Sequence, residues 1–120
     1  MRINLFGAGY VGLVTAACLA EHGNQVLCID IDQEKVKRLK QGECPIHEPD
    51  LPALLQKNLA AGRLHFSTDP QQGVEHGFYQ FITVGTPQDK DGSADLTYAL
   101  DVARYIGKTL TEPKLIINKS

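Results

Sequence analysis

Short apolar runs alternate with helical patterns along the chain. The runs predict five β-strands, at 2–6, 25–30, 64–67, 79–84 and 114–118. Helices are predicted between them, at 10–22, 32–40, 52–61, from 70 onward and at 96–110. One strand and one helix recur about every 25 to 30 residues, which is typical of a parallel sheet with right-handed crossovers. The pattern therefore predicts an α/β fold.

Two segments break this alternation. Pro45, Pro49 and Pro52 exclude a regular helix from residues 42–52 and predict a shaped loop instead. Residues 88–94 are polar and contain a glycine, so we expect a surface loop there. No repeat or low-complexity segment divides the chain, and residues 1–120 are interpreted as a single domain.

Composition and charge narrow the possible partners. A net charge of −2 leaves no basic footprint for nucleic acid or for an anionic membrane surface. The longest apolar runs are far shorter than the roughly 18 residues of a membrane helix, and the N-terminus does not resemble a signal peptide. Cys18 and Cys28 have apolar neighbours and are predicted to be buried, whereas Cys44 falls in the proline-rich loop. These three thiols lack metal-ligand spacing and are expected to be reduced, as in a cytoplasmic protein.

A glycine motif of the form G-x-G-x-x-G directly follows the first strand and opens the first helix. Gly7 is expected to permit the tight turn, Gly9 to admit a pyrophosphate and Gly12 to let the helix approach the sheet. The free N–H groups of the first helical turn would then hold the anion. The alternative is a tight strand-to-helix turn that binds nothing.

An acidic residue stands where a dinucleotide site needs one. Asp30 ends the second strand, 18 residues after Gly12, and is predicted to bind the adenosine ribose hydroxyls. Its charge would repel the 2′-phosphate of NADP, and no arginine follows it closely, so NAD is the predicted cofactor. The alternative role, capping of the next helix, is one that Asp32 can fill. Together these features predict a Rossmann-type doubly wound parallel sheet of order 3-2-1-4-5 in a three-layer α/β/α arrangement.

Five segments, the first of which contains this glycine motif, resemble the UDP-glucose/GDP-mannose dehydrogenase family. They are the glycine-rich opening at 7–14, the proline-rich loop at 42–51, the fourth strand and turn at 81–87, and the segments at 91–96 and 118–120. The resemblance runs in order along essentially the whole chain. Two departures affect loop shape and substrate preference: His47 and Asp50 replace the family's usual tyrosine and glycine, and 77–80 lacks its usual acidic-apolar pair.

The resemblance also implies a set of NAD contacts. Lys35 would join Asp30 at the adenosine ribose, although a solvent-facing helix lysine is the alternative, and Thr86 would lie nearer the nicotinamide. The complete set of expected cofactor contacts is Gly7, Gly9, Tyr10, Val11, Gly12, Asp30, Lys35 and Thr86.

Members of this family oxidise the C6 alcohol of a nucleotide sugar to a carboxylate with two NAD, using a cysteine nucleophile. The resemblance therefore implies conversion of UDP-glucose to UDP-glucuronate, in a homodimer when the protein is full length. No cysteine here matches the nucleophile's position, so no catalytic residue and no metal ligand is assigned. We expect an NAD-binding domain without its central and C-terminal substrate domains, inactive alone.

The sequence is also compatible with several alternative functions. One is a stand-alone nucleotide-binding or regulatory domain. Others are a dehydrogenase of the GDP-mannose or UDP-N-acetylmannosamine type, a 3-hydroxyacyl-CoA dehydrogenase or a 6-phosphogluconate dehydrogenase. The loop at 45–51 is expected for the sugar-nucleotide enzymes and not for the last two.

Overall fold

The computed structural model describes residues 1–85, 90–93 and 96–119. Within these ranges, none of the helices is long and apolar enough to cross a membrane. Strands and helices alternate, except that two helices follow each other before the third strand. The elements are β1 (Arg2–Phe6), α1 (Tyr10–Glu21), β2 (Gln25–Ile29), α2 (Gln33–Lys40), α3 (Leu51–Ala60), β3 (Leu64–Ser67), α4 (Pro70–His76), β4 (Tyr79–Ile82), α5 (Thr97–Thr109) and β5 (Leu115–Asn118).

The five strands form one parallel sheet in the order β3-β2-β1-β4-β5. In the register at its centre, Ile3 of β1 lies opposite Val26 of β2 on one side and Tyr79 of β4 on the other. The chain runs outward from β1 to β3 and then returns to place β4 beside β1. Strand order therefore reverses between β1 and β4, as predicted, and ligands of such sheets bind at this reversal.

Helices cover both faces of the sheet because the strands are apolar on both sides. Ile3 and Leu5 of β1 join a core with residues of α1, α2 and α3, while Phe6 faces the opposite side. Phe6 belongs to a second core, with Val74 of α4 and Ile106 of α5. The predicted three-layer α/β/α architecture is confirmed.

Most predicted boundaries differ from the observed ones by a residue or two. The N-caps are as expected: Asp32 accepts a hydrogen bond from the Lys35 N–H, and Asp69 accepts one from Gln71. The predicted fourth strand extended to residue 84, but β4 ends at Ile82.

The prediction that Cys18 is buried was wrong. The buried side of α1 is a narrow stripe at helical spacing, and Cys18 lies off it and is exposed. Cys28 is buried, as predicted, and Cys44 is half-buried with its thiol 3.3 Å from the Ile46 carbonyl oxygen. The stripe consists of Gly12, Leu13, Ala16, Ala17 and Ala20.

A buried amide holds α4 against the sheet, and the sequence pattern did not indicate it. Gln80 of β4 is fully buried, and its Oε1 accepts a hydrogen bond of 2.9 Å from Asn4 Nδ2. Its Nε2 lies 3.0–3.2 Å from the carbonyl oxygens of Gly73, Val74 and Gly77. Gln80 thus satisfies carbonyls that the end of a helix otherwise leaves without a partner.

Replacing this amide should therefore destabilise the fold. Gln80→Leu should lower the free energy of unfolding in urea by about 3 kcal/mol, because it leaves buried polar groups unpaired. Gln56→Leu is the matched control: Gln56 is exposed and donates a single 3.2 Å hydrogen bond to the Gly42 carbonyl. The control should change stability by less than about 0.5 kcal/mol. Equal losses in the two variants would contradict the role given to Gln80.

Candidate functional site

A cleft of about 650 Å³ opens at the point where the strand order reverses. Its floor is the end of β1 with the glycine-rich turn. One wall is formed by the end of β2 and Lys35 of α2, and the other by one side of α5. The residues that line the cleft include Gly7, Gly9, Asp30, Ile31, Lys35, Thr83, Tyr98, Asp101 and Tyr105. The carboxyl edge of the sheet and this cleft therefore coincide.

The three motif glycines have different surroundings. Gly7 has φ +109°, and a Cβ there would lie 2.7 Å from the Thr83 carbonyl oxygen. At Gly12 a Cβ would lie 1.8 Å from the Gly7 carbonyl oxygen, so only glycine lets α1 approach the turn. At Gly9 a Cβ would meet nothing within 4 Å. Gly7 and Gly12 are thus required by packing, whereas Gly9 presents an open backbone to the cleft.

The helix that leaves this turn has an uncapped start. Gly9 is the N-cap of α1 and supplies no side-chain acceptor, and the first turn contains no acidic residue. Among the described residues, the N–H groups of Tyr10, Val11 and Gly12 therefore have neither an intrahelical partner nor a side-chain cap. With the positive end of the helix dipole, they suit an anion.

Asp30 connects the glycine-rich turn to the start of α2. Its Oδ2 accepts a 2.9 Å hydrogen bond from the Ala8 N–H, and its Oδ1 accepts one of the same length from Asp32. Lys35 Nζ lies 3.7 Å from Oδ2. The carboxylate is only 13% exposed, but each oxygen keeps a lone pair that a hydroxyl group can use. Lys35 also lines the cleft, and its side chain is 33% exposed.

Apolar side chains stand exposed on both walls of the cleft. Ile31 follows Asp30 and is 88% exposed, and Tyr98 of α5 is 55% exposed. Asp101 and Tyr105 line the same wall as Tyr98, three and seven residues further on, which is one face of a helix. This wall was not predicted from the sequence, although Tyr98, Asp101 and Tyr105 stand at helical spacing there.

Thr83 holds the glycine-rich turn in place, and this role was not predicted from the sequence. Its side chain is buried, and its Oγ1 lies 3.0 Å from the Phe6 carbonyl oxygen and 2.9 Å from that of Gly7. The hydroxyl therefore holds the end of β1 where the chain leaves the sheet. Thr86, a predicted cofactor contact, lies outside the described residues.

Tyr10 connects the turn to the proline-rich loop. The residue is 58% exposed, and its hydroxyl donates a 3.2 Å hydrogen bond to Glu48 Oε2. This hydrogen bond and the charge of Glu48 raise the pKa of Tyr10.

Asp50, which replaces the family's glycine in this loop, has φ −98°, a conformation open to any residue. The replacement therefore causes no backbone strain.

The cysteine thiols are not part of the cleft lining. None of the three cysteines lines it, and burial raises the pKa of Cys28 to about 12, so this thiol is not ionised at neutral pH. In the part of the chain that the structure describes, no three His, Cys, Asp or Glu side chains converge on a possible metal position.

Comparison with known proteins agrees with this geometry. The sequence model of the NAD binding domain of the UDP-glucose/GDP-mannose dehydrogenase family matches residues 1–120. The chain is 50% identical to the UDP-glucose 6-dehydrogenase of Pseudomonas aeruginosa over 120 residues, all of this chain and 26% of that protein. It thus spans about a quarter of the length of this relative.

Solved structures show the same similarity. A ternary complex of GDP-mannose dehydrogenase from Pseudomonas aeruginosa superposes with a TM-score of 0.95 at 41% identity, over 100% of this chain and 28% of that one. A UDP-glucose dehydrogenase from Pyrobaculum islandicum gives 0.93 at 37% identity, over 100% and 29%. The chain therefore belongs to the UDP-glucose/GDP-mannose dehydrogenase family and represents its NAD binding domain.

Proposed function

We propose that the cleft binds NAD with the pyrophosphate on the glycine-rich turn and the adenosine ribose on Asp30. The observation that carries this assignment is the direct hydrogen bond between the Asp30 carboxylate and the Ala8 N–H. It holds the ribose-binding group and the phosphate-binding turn in one rigid unit. The two parts of a dinucleotide would therefore meet surfaces that are already positioned.

The pyrophosphate part of the proposal rests on Gly9 and the start of α1. The open space above Gly9 admits an anion to the backbone, and the N–H groups of Tyr10, Val11 and Gly12 are its natural donors. Gly7 would contribute indirectly, by fixing the shape of the turn, and Gly12 would do so in addition to offering its N–H.

The adenosine part rests on Asp30 and its neighbours. A carboxylate oxygen that already accepts one N–H can still accept a ribose hydroxyl, and Lys35 stands beside it as a second donor. Ile31 offers an exposed apolar surface next to Asp30, and Tyr98 lines the same cleft; such surfaces suit the flat adenine ring. The negative charge of Asp30 opposes the 2′-phosphate of NADP.

The chemistry of the whole protein is also a proposal. We infer that the domain serves an oxidoreductase acting at C6 of a nucleotide sugar, in which bound NAD accepts the hydride. The 50% identity to a UDP-glucose 6-dehydrogenase favours UDP-glucose as the sugar nucleotide. A cytoplasmic location, homodimeric assembly and the inactivity of these 120 residues alone stay predictions.

A matched pair of glycine variants tests the pyrophosphate assignment. Gly9→Val should melt at nearly the wild-type temperature and lose NAD binding, because its side chain enters space that the protein leaves open. Gly12→Val should instead lower the melting temperature strongly, since its Cβ would overlap the Gly7 carbonyl. Differential scanning fluorimetry and calorimetric titration with NAD separate the two effects. A Gly9→Val chain that binds NAD normally would contradict the assignment.

Titration calorimetry with NAD and NADP tests the role of Asp30. The wild-type chain should prefer NAD, and Asp30→Ala should weaken NAD binding by about 1–3 kcal/mol, the cost of losing a charge-assisted hydrogen bond. The preference over NADP should shrink in that variant, because the repelling charge is gone. Asp32→Asn is the control, since it removes a charge two residues away and keeps a good N-cap. Equal affinity of the wild type for NADP would refute the proposal.

A further inference from the structure

The proline-rich loop, residues 42–50, is held in place at several points. Gln56 of α3 donates a 3.2 Å hydrogen bond to the Gly42 carbonyl, and the Leu51 N–H donates one of 3.1 Å to the Glu48 carbonyl. Between these ends, the side chains of Cys44 and Ile46 pack against the core on the α1 face of the sheet. The loop is therefore a fixed support on the same side of the sheet as α1.

From this support, the Glu48 carboxylate reaches a residue 38 positions earlier. Its Oε2 accepts the 3.2 Å hydrogen bond from the Tyr10 hydroxyl. Tyr10 is the first residue of α1 and directly follows Gly9, whose backbone is open to the cleft. The loop thus holds the side chain of the residue that directly follows this open backbone.

The Tyr10 ring, held by Glu48, is not part of the cleft lining. The residue is more than half exposed, and without its hydroxyl partner the ring is free to occupy several rotamers in water. The hydrogen bond to Glu48 selects one of them before any ligand arrives. Preorganisation of this kind increases affinity because less side-chain freedom is lost on binding.

We propose that Glu48 is a positioning residue for the cofactor: it holds the Tyr10 ring beside the phosphate-binding turn and keeps the approach to Gly9 clear. The inference rests on the proposed binding of NAD at this turn. It gives the proline-rich loop a role in cofactor binding, through a carboxylate that does not line the cleft.

Calorimetric titration of the chain with NAD tests the proposal. Glu48→Ala should weaken NAD binding roughly three- to tenfold, the range that loss of one hydrogen bond produces. Glu48→Gln keeps an acceptor and should restore most of the affinity. Glu43→Ala is the matched control, because Glu43 is an exposed glutamate of the same loop and its removal changes the net charge equally. This control should bind NAD like the wild type.

A double-mutant cycle identifies Tyr10 as the link. Tyr10→Phe should also weaken binding, and the double variant Tyr10→Phe/Glu48→Ala should bind no more weakly than the weaker single variant, because both changes remove the same hydrogen bond. If Glu48→Ala does not fold, Tyr10→Phe and Glu48→Gln still give the comparison. Without cofactor, the carbon-13 signal of the Tyr10 ring should titrate at a lower pH in Glu48→Gln than in the wild type. The reason is that the variant lacks the Glu48 charge, which raises the pKa of Tyr10.

The outcomes separate this inference from the function it rests on. Unchanged NAD affinity in Glu48→Ala, or fully additive losses in the double variant, would overturn the positioning role while leaving NAD binding intact. A wild-type chain that does not bind NAD at all would overturn the proposed function and this inference with it. Coupled losses together with the shifted Tyr10 titration would establish the role of Glu48.

Discussion

The hydrogen bond from the Ala8 N–H to the Asp30 carboxylate is the interaction on which the site depends. It joins the turn after β1 to the residue that ends β2, next to a 2.7 Å hydrogen bond from the Gly7 N–H to the Ile29 carbonyl. The same carboxylate accepts the Asp32 N–H and lies beside Lys35. Because it is largely buried, its geometry is set by the protein rather than by water. The turn, the start of α2 and the proposed ribose contact therefore form one unit.

The topology of the sheet explains why the unit stands in a cleft. Strand order reverses between β1 and β4, so the helices after these strands leave on opposite faces and open a space above the sheet edge. Thr83, at the end of β4, holds the Phe6 and Gly7 carbonyls at the floor of that space. Packing at Gly7 and Gly12 then leaves Gly9 as the backbone surface open to a ligand.

Local features of the chain were predictable from the sequence, and so was the order of the strands. The strands, the caps at Asp32 and Asp69 and the separate tasks of Gly7 and Gly12 each depend on residues close in sequence or on general rules of α/β topology. The position of Asp30 at the end of β2 followed from the same rules.

Contacts between distant segments were not predictable in this way. Gln80 reads as one polar residue in a strand, and only the tertiary structure shows it bound to Asn4 and to the end of α4. Cys18 has apolar neighbours in sequence but lies off the buried stripe of α1. The bond between Tyr10 and Glu48 joins residues 38 positions apart, and neither residue type indicates the other.

A crystal structure of the chain with bound NAD would show directly whether Asp30 binds the adenosine ribose beside the glycine-rich turn. We expect a ribose hydroxyl within about 3.2 Å of an Asp30 carboxylate oxygen, with the hydrogen bond from the Ala8 N–H still in place and the pyrophosphate over Gly9. An Asp30 side chain turned away from the ribose, or NAD bound outside this cleft, would contradict this expectation.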